Sequence, residues 1–403
     1  MHNLKTLLAL AVAGSALGAA VPALAQENVT LGILGDITGP IESLAPPIVA
    51  GAQLAFDHVN QQGGILGGGQ INVVVGDSAC DPSAAGPAAD RMVNTDNVTA
   101  IVGAFCTGAT IGAAQAAGIP GGVVQISPSA TAPALTTLED NDLVFRTAPS
   151  DAFQGVKLAD LMTQQGVSDV AVTYVNNDYG KGLADVFVQQ FEANGGTISA
   201  NVAHEDGKAD YRAELGQLAG SGSQNLVIIA YASGSARTIL QQAIEAGDFT
   251  KYVGVDGVIG DDLLTGLDPA AVEGLVATRA GAYAGESADA YVALATAAGQ
   301  DPNATYAPQA YDAAFLLALA VEKNGSASRE GLSAALRDVA SAPGEVIRPG
   351  EWSKAVEILS AGGDIDYDGA SGPHDFDEAG DVSGVIVQVV VENGTWVEKG
   401  PVE

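Results

Sequence analysis

Ser127-Pro128-Ser129-Ala130-Thr131-Ala132-Pro133 follows the apolar run Gly122-Val123-Val124-Gln125-Ile126. About twenty residues upstream, Cys106-Thr107 follows a similar run, Ala100-Ile101-Val102-Gly103. Runs this short and this apolar read as buried strands of a parallel sheet. Hydroxyls and backbone N–H groups then gather at the carboxyl ends of neighbouring strands, where open α/β sheets bind ligands. Helix starts placed there point N–H groups outward and suit an anion such as a carboxylate. Pro128 and Pro133 stiffen the loop by fixing φ and removing donors. The same Ser and Thr residues would also serve as helix caps, and the local sequence leaves both readings open.

Outward from this stretch the chain keeps one rhythm. Val29–Leu34, Ile71–Val75 and the two runs above are strands, separated by helices over about 47–61 and 83–94. Phe145-Arg146-Thr147-Ala148-Pro149 reads as a crossover, after which the rhythm restarts. Strands are expected at 170–175, 197–202, 225–230, 252–255 and 274–278, with helices at 151–165, 181–193, 211–219 and 235–246. Alternating β and α with near-continuous apolar strands means parallel sheets covered on both faces. Helices are expected over 287–298, 307–323 and 328–340, then an irregular insertion over Gly350–Ile365 with a short helix near 353–358. Val385–Val391 and Thr395–Val397 pair as a hairpin across Glu392-Asn393-Gly394. Two α/β lobes joined by several crossovers form a hinge, and a ligand between them is enclosed when they close.

The 403 residues suffice for two full cores. Residues 1–25 read as a cleavable secretory leader: Lys5 leads, Leu7–Val21 is apolar, and Ala23-Leu24-Ala25 supplies small residues for cleavage. Formal net charge is −32, and loss of Lys5 with the leader makes it −33. Such a surface argues against nucleic acid and against anionic membranes as partners. Cys80 and Cys106, the only cysteines, each stand just past a strand. In an exported chain they are expected to pair, the alternative being two buried thiols. The closed loop would contribute roughly 3 kcal/mol.

Chemistry for catalysis is missing. There is no Gly-x-Ser-x-Gly elbow, no phosphate-binding Gly-x-x-x-x-Gly-Lys loop, and Gly32-Ile33-Leu34-Gly35 does not complete a dinucleotide fingerprint. His2, His58, His204 and His374 are far apart, with no metal-site spacing. Asp364, Asp366 and Asp368 alternate but lack the glycine and distal glutamate of a calcium loop. No cofactor and no metal are expected, and the chain is not expected to be an enzyme.

Taken together, several short motifs resemble those of the periplasmic leucine/isoleucine/valine-binding proteins, the type I solute-binding proteins of ABC importers. They are Thr38-Gly39-Pro40, Asn60–Ile65, Asp77 with Cys80-Asp81-Pro82, Cys106-Thr107, Ser127–Pro133, Phe145-Arg146-Thr147, Asp178–Gly182, and Gly372-Pro373 with Phe376-Asp377 and Gly380-Asp381. The resemblance covers nearly all of the chain beyond the leader. It implies two doubly wound α/β lobes on a three-crossover hinge, the first from 26–147 plus 280–382 and the second from 148–279 plus 383–403. It implies a monomer that captures a small amino acid or related carboxylate in the periplasm and delivers it to an inner-membrane ABC permease. A ligand sensor for a signalling partner is the alternative on the same scaffold.

The resemblance also implies residue roles. Thr107 would hold the ligand carboxylate. Ser129 and Thr131 would take carboxylate and ammonium. Tyr179 would close over the ligand from the second lobe, and Asp256 would pair with the ammonium. Tyr231 or its neighbour Ala232 would complete the second-lobe face, and Cys80 and Cys106 would form a disulfide. A zwitterion needs donors at one end and an acid at the other, so a ligand bridging the two groups favours the closed form. Leu44 stands where relatives often carry an aromatic, beside Glu42 and Ser43. From this follows the expectation of a pocket more polar than one for leucine, with a second cationic group on the ligand if Glu42 reaches it.

Overall fold

A computed structural model describes residues 26–403; the leader expected over 1–25 lies outside them. The first sheet holds five parallel strands, β1 (Val29–Gly35), β2 (Ile71–Asp77), β3 (Ala100–Gly103), β4 (Val124–Ser127) and β5 (Val144–Arg146), in the order β2-β1-β3-β4-β5. Central β1, β3 and β4 are buried almost throughout, because helices cover both faces. β5 runs into the segment expected to be a crossover and ends there at Arg146, so the crossover itself starts at Thr147, two residues later than expected.

The second sheet takes β6 (Asp169–Val175), β7 (Thr197–His204), β8 (Asn225–Ile229), β9 (Lys251–Gly254) and β10 (Val276–Ala280) as parallel strands. The chain then returns to the first lobe through the helices Glu286–Ala297, Ala307–Asn324 and Leu332–Ala340. A small parallel pair follows, β11 (Glu345–Ile347) with β12 (Ile365–Tyr367). It finally re-enters the second sheet as the antiparallel strands β13 (Ile386–Glu392) and β14 (Thr395–Pro401). The sheet order is β14-β13-β10-β9-β8-β6-β7. The β13–β14 turn places Asn393 and Gly394 at φ 53° and 76°, the double left-handed geometry that a two-residue hairpin requires.

Three connections therefore pass between lobes, after β5, after β10 and before β13, and they lie side by side. Gly281 N–H donates to the Val385 carbonyl (2.8 Å) and the Thr147 hydroxyl to the Gln309 carbonyl (2.8 Å). The helix Ala307–Asn324 is buried along most of its length and packs on the helix Ala45–Gln61. Their approach is close: a Cβ on Gly51 would stand 2.4 Å from the Ala307 carbonyl oxygen.

The insertion over Gly350–Ile365 contains the helix Trp352–Ser360. Trp352 is fully buried and its indole N–H donates to the Gly64 carbonyl (2.9 Å), at the end of the first lobe remote from the carboxyl ends of the strands. Asp364 pairs with Lys323 and Asp368 accepts from Ser287, so these acids serve separate contacts. Among the described residues no group of three or more His, Cys, Asp or Glu is arranged to hold a metal. No described helix is long and apolar enough to cross a membrane.

Candidate functional site

A cavity lies between the carboxyl ends of the two sheets and is partly open to solvent. The first lobe contributes Ile41, Leu44, Ile48, Phe105, Cys106, Thr107, Ser129 and Tyr306, and the second contributes Tyr179, Tyr231, Asp256 and Gly257. Five of the six residues expected at the site are thus brought to one cavity from distant stretches of the chain. Thr131 is not on its lining; it is buried just behind, beside Asp151.

The first-lobe floor is knitted by its own hydroxyls. Thr107 begins the helix Thr107–Ala113 and its Oγ1 accepts from Ala132 N–H (3.3 Å), while Ser129 donates to the Phe105 carbonyl (3.0 Å). Cys80 and Cys106 form a disulfide with Cα atoms 5.3 Å apart, tying the end of β2 to the residue before Thr107. Beneath it, Asp36 accepts from the backbone N–H groups of Cys80 (2.8 Å), Phe105 (2.8 Å) and Cys106 (2.7 Å), and from the Ser78 hydroxyl. Burial lifts its pKa to about 7, against the pull of those N–H donors.

The motifs after this floor have a structural reason to accompany it. Arg146, almost wholly buried, donates to the Thr131 (2.8 Å) and Ala132 (3.0 Å) carbonyls. Its other face forms a two-point pair with Asp381, both contacts 2.6 Å. The Ser127–Pro133 loop is thus held in place by Phe145-Arg146-Thr147 and Gly380-Asp381, residues separated from each other by more than two hundred positions.

The second-lobe face is aromatic. Tyr179 and Tyr231 stack with centroids 5.1 Å apart, and Asn177 donates to the Tyr231 hydroxyl (3.3 Å). Tyr231 lines the cavity, and its neighbour Ala232 does not. Asp256 stands two residues past β9 and accepts from Tyr179 (3.0 Å), Gln154 (2.8 Å) and Tyr306 (2.7 Å). Burial raises its pKa, and these three donors act against the rise.

Asp151, Gln154 and Tyr306 were not expected at the site. Asp151 is fully buried and neither carboxyl oxygen has a partner of hydrogen-bond geometry among the described residues. Burial and then the neighbouring Asp256 charge raise its pKa well above the usual carboxylate range. Asp151 and Gln154 share one face of the helix Asp151–Gln164, a spacing visible in sequence but common to any helix. Tyr306 is a non-glycine residue at φ 64°, and no local signal marks it.

The condition set for a second cationic group on the ligand is not met. Glu42 is exposed and absent from the lining. The wall beside it is Ile41, Leu44, Ile48 and Phe105, because the turn of chain entering the helix Ala45–Gln61 points Glu42 outward and Ile41 and Leu44 inward.

Two α/β lobes on a three-stranded hinge, with a cavity lined from both, define a ligand-binding protein of the type I periplasmic class. Residues 28–355 match the periplasmic binding protein family model, and the chain belongs to that family. It is 30% identical to the leucine-, isoleucine-, valine-, threonine- and alanine-binding protein of Pseudomonas aeruginosa, over 82% of this chain and 86% of that one. It is 27% identical to BasB, the substrate-binding protein of a chemotactic signal transduction system in Halobacterium salinarum, over 92% and 89%. The leucine-binding protein LivK of Thermotoga maritima superposes with a TM-score of 0.78 at 25% identity, covering 93% of this chain and 99% of that one.

Proposed function

We propose that this chain captures an amino acid with an apolar side chain in the periplasm and delivers it to the membrane permease of an ABC importer. The observation that carries the reading is what the two lobes bring to the cavity. The first lobe brings Thr107 and Ser129, the second brings Asp256, and Ile41, Leu44, Ile48 and Phe105 add an apolar wall. Hydroxyls suit a carboxylate, the acid an ammonium, and the wall an aliphatic side chain. Charge-assisted hydrogen bonds contribute about 1.5–3 kcal/mol each, so a few of them with water excluded reach roughly −8 kcal/mol, micromolar binding. The amino acids bound by the Pseudomonas and Thermotoga relatives support the same class.

In this reading Thr107, Ser129, Tyr179, Tyr231 and Asp256 form the ligand set, with Thr131 buried behind them. The lobes divide near residues 147, 279 and 382, and the protein acts as a monomer with its leader removed on export. Nothing is catalysed, so ligand incubated with the protein is recovered unchanged.

Calorimetric titration against leucine, valine, alanine, threonine, glycine, 4-aminobutyrate and amine-free aliphatic carboxylates tests the reading. Binding of an apolar amino acid, lost in Asp256→Ala and Thr107→Val, is the expected result. Binding confined to carboxylates without an amine, unchanged in Asp256→Ala, would reject the amino-acid assignment. The likeness to BasB favours one further reading, a sensor that reports the same ligand to a signalling partner. Neighbouring permease and ATPase genes would support transport, and a neighbouring chemoreceptor gene would support sensing.

A further inference from the structure

Ser233 lies just after β8, two residues beyond Tyr231, and reaches across the cleft to the first lobe. Its N–H donates to the Pro40 carbonyl (3.2 Å). Its Oγ is 2.8 Å from Ser43 Oγ and 3.3 Å from Ser43 N, and it donates to Asp262 Oδ2 (2.7 Å). A hydroxyl has one proton and two lone pairs. Because Asp262 takes the Ser233 proton, Ser43 must donate both its hydroxyl and its N–H to Ser233. The hydroxyl is then fully used, and the carboxylate at its end polarises the chain of bonds.

None of these three side chains lines the cavity, yet each is tied to segments that do. Ser43 stands between Ile41 and Leu44, and Ser233 follows Tyr231. Backbones come close here as well: a Cβ on Gly260 would stand 2.8 Å from Ser43 Oγ, and one on Gly234 would stand 2.9 Å from Pro40 Cβ.

We infer that Ser43, Ser233 and Asp262 form a latch at the rim of the cleft that sets how long the closed form, and hence the bound ligand, persists. The three are positioning residues. They contribute no contact to the ligand, and they act by holding the Ile41–Ile48 wall against the Tyr231 face. The effect on ligand lifetime rests on the capture function proposed above, whereas the effect on closure does not.

The test is stopped-flow binding of L-leucine, with L-alanine as a second probe, to the wild type, Ser43→Ala, Ser233→Ala, the double variant and Gly260→Ala. Dissociation is expected to quicken about tenfold in each single variant, the size of one or two lost hydrogen bonds. Association should change little, since the encounter surface is intact. The double variant should match Ser233→Ala alone, because the two serines share their bonds. Unchanged dissociation, or a lowered unfolding midpoint of the ligand-free protein in its place, would overturn the latch. If the wild type binds neither probe, that choice of ligand fails and the latch is read separately by hydrogen exchange of the 39–44 and 231–234 segments. Faster exchange in Ser233→Ala than in the wild type supports it, and equal exchange refutes it.

Discussion

The Tyr306 hydroxyl donates a 2.7 Å hydrogen bond to Asp256 Oδ2, and the two residues stand on opposite lobes. Tyr306 precedes the helix Ala307–Asn324, packed on the first lobe, while Asp256 stands two residues past β9 of the second sheet. The bond therefore bridges the two lobes. It also fills an acceptor site on the acid proposed to meet the ligand ammonium. Tyr306→Phe should weaken amino-acid binding about tenfold or more, the range for a hydrogen bond to a charged group. The unfolding midpoint of the ligand-free protein should stay close to that of the wild type. Calorimetry beside thermal unfolding checks both, and an unchanged Kd would count against this role.

Arg146 and Asp381 hold the Ser127–Pro133 loop from below. Asp381→Ala leaves a buried guanidinium without its two-point partner, a loss expected to cost about 3–5 kcal/mol. Chemical denaturation of the variant measures it. The Thr131 and Ala132 carbonyls keep their bonds to Arg146 in this variant, so any residual binding reports how far the pair positions the loop.

The Cys80–Cys106 bond closes a loop with a sequence separation of 26. Replacing both cysteines by serine should lower stability by about 3 kcal/mol on the chain-entropy account. Treatment of the wild type with reductant should move its denaturation midpoint the same way. Because Cys106 precedes Thr107, ligand affinity should fall as well. Retained stability in the double variant would show that Asp36 alone keeps the two segments together.

Asp36 titrates at about 7 in the folded chain against 3.8 for an ordinary aspartate. Between these values the folded state holds a proton that the unfolded state has released. The contribution of this group is therefore fully present below about pH 4 and is lost as pH rises through about 7. In Asp36→Asn this part of the pH dependence should vanish. Urea unfolding of both proteins at intervals from pH 4 to pH 8 gives the difference, and parallel curves would contradict the assignment.

Much of the architecture was legible in the sequence because parallel strands buried on both faces are continuously apolar. β1, β3, β4 and β8 could be located that way, as could the Asn393-Gly394 turn, whose backbone geometry selects those residue types. Thr107 and Ser129 could be nominated because each follows a strand, where topology gathers ligand contacts, whereas Tyr179 and Asp256 were implied only by the resemblance to the leucine/isoleucine/valine-binding proteins. The tertiary structure decided what depends on pairing between distant segments. It put Tyr306 on Asp256, Arg146 on Asp381 and Ser43 on Ser233, contacts spanning 50, 235 and 190 residues. It also turned Glu42 outward and placed Ile41, Leu44 and Ile48 on the cavity wall. Local sequence encodes which residues favour a strand, a turn or a helix start. Which side chains meet across a cleft is set by how two separately folded sheets are held by three hinge segments, and no short stretch of the chain carries that information.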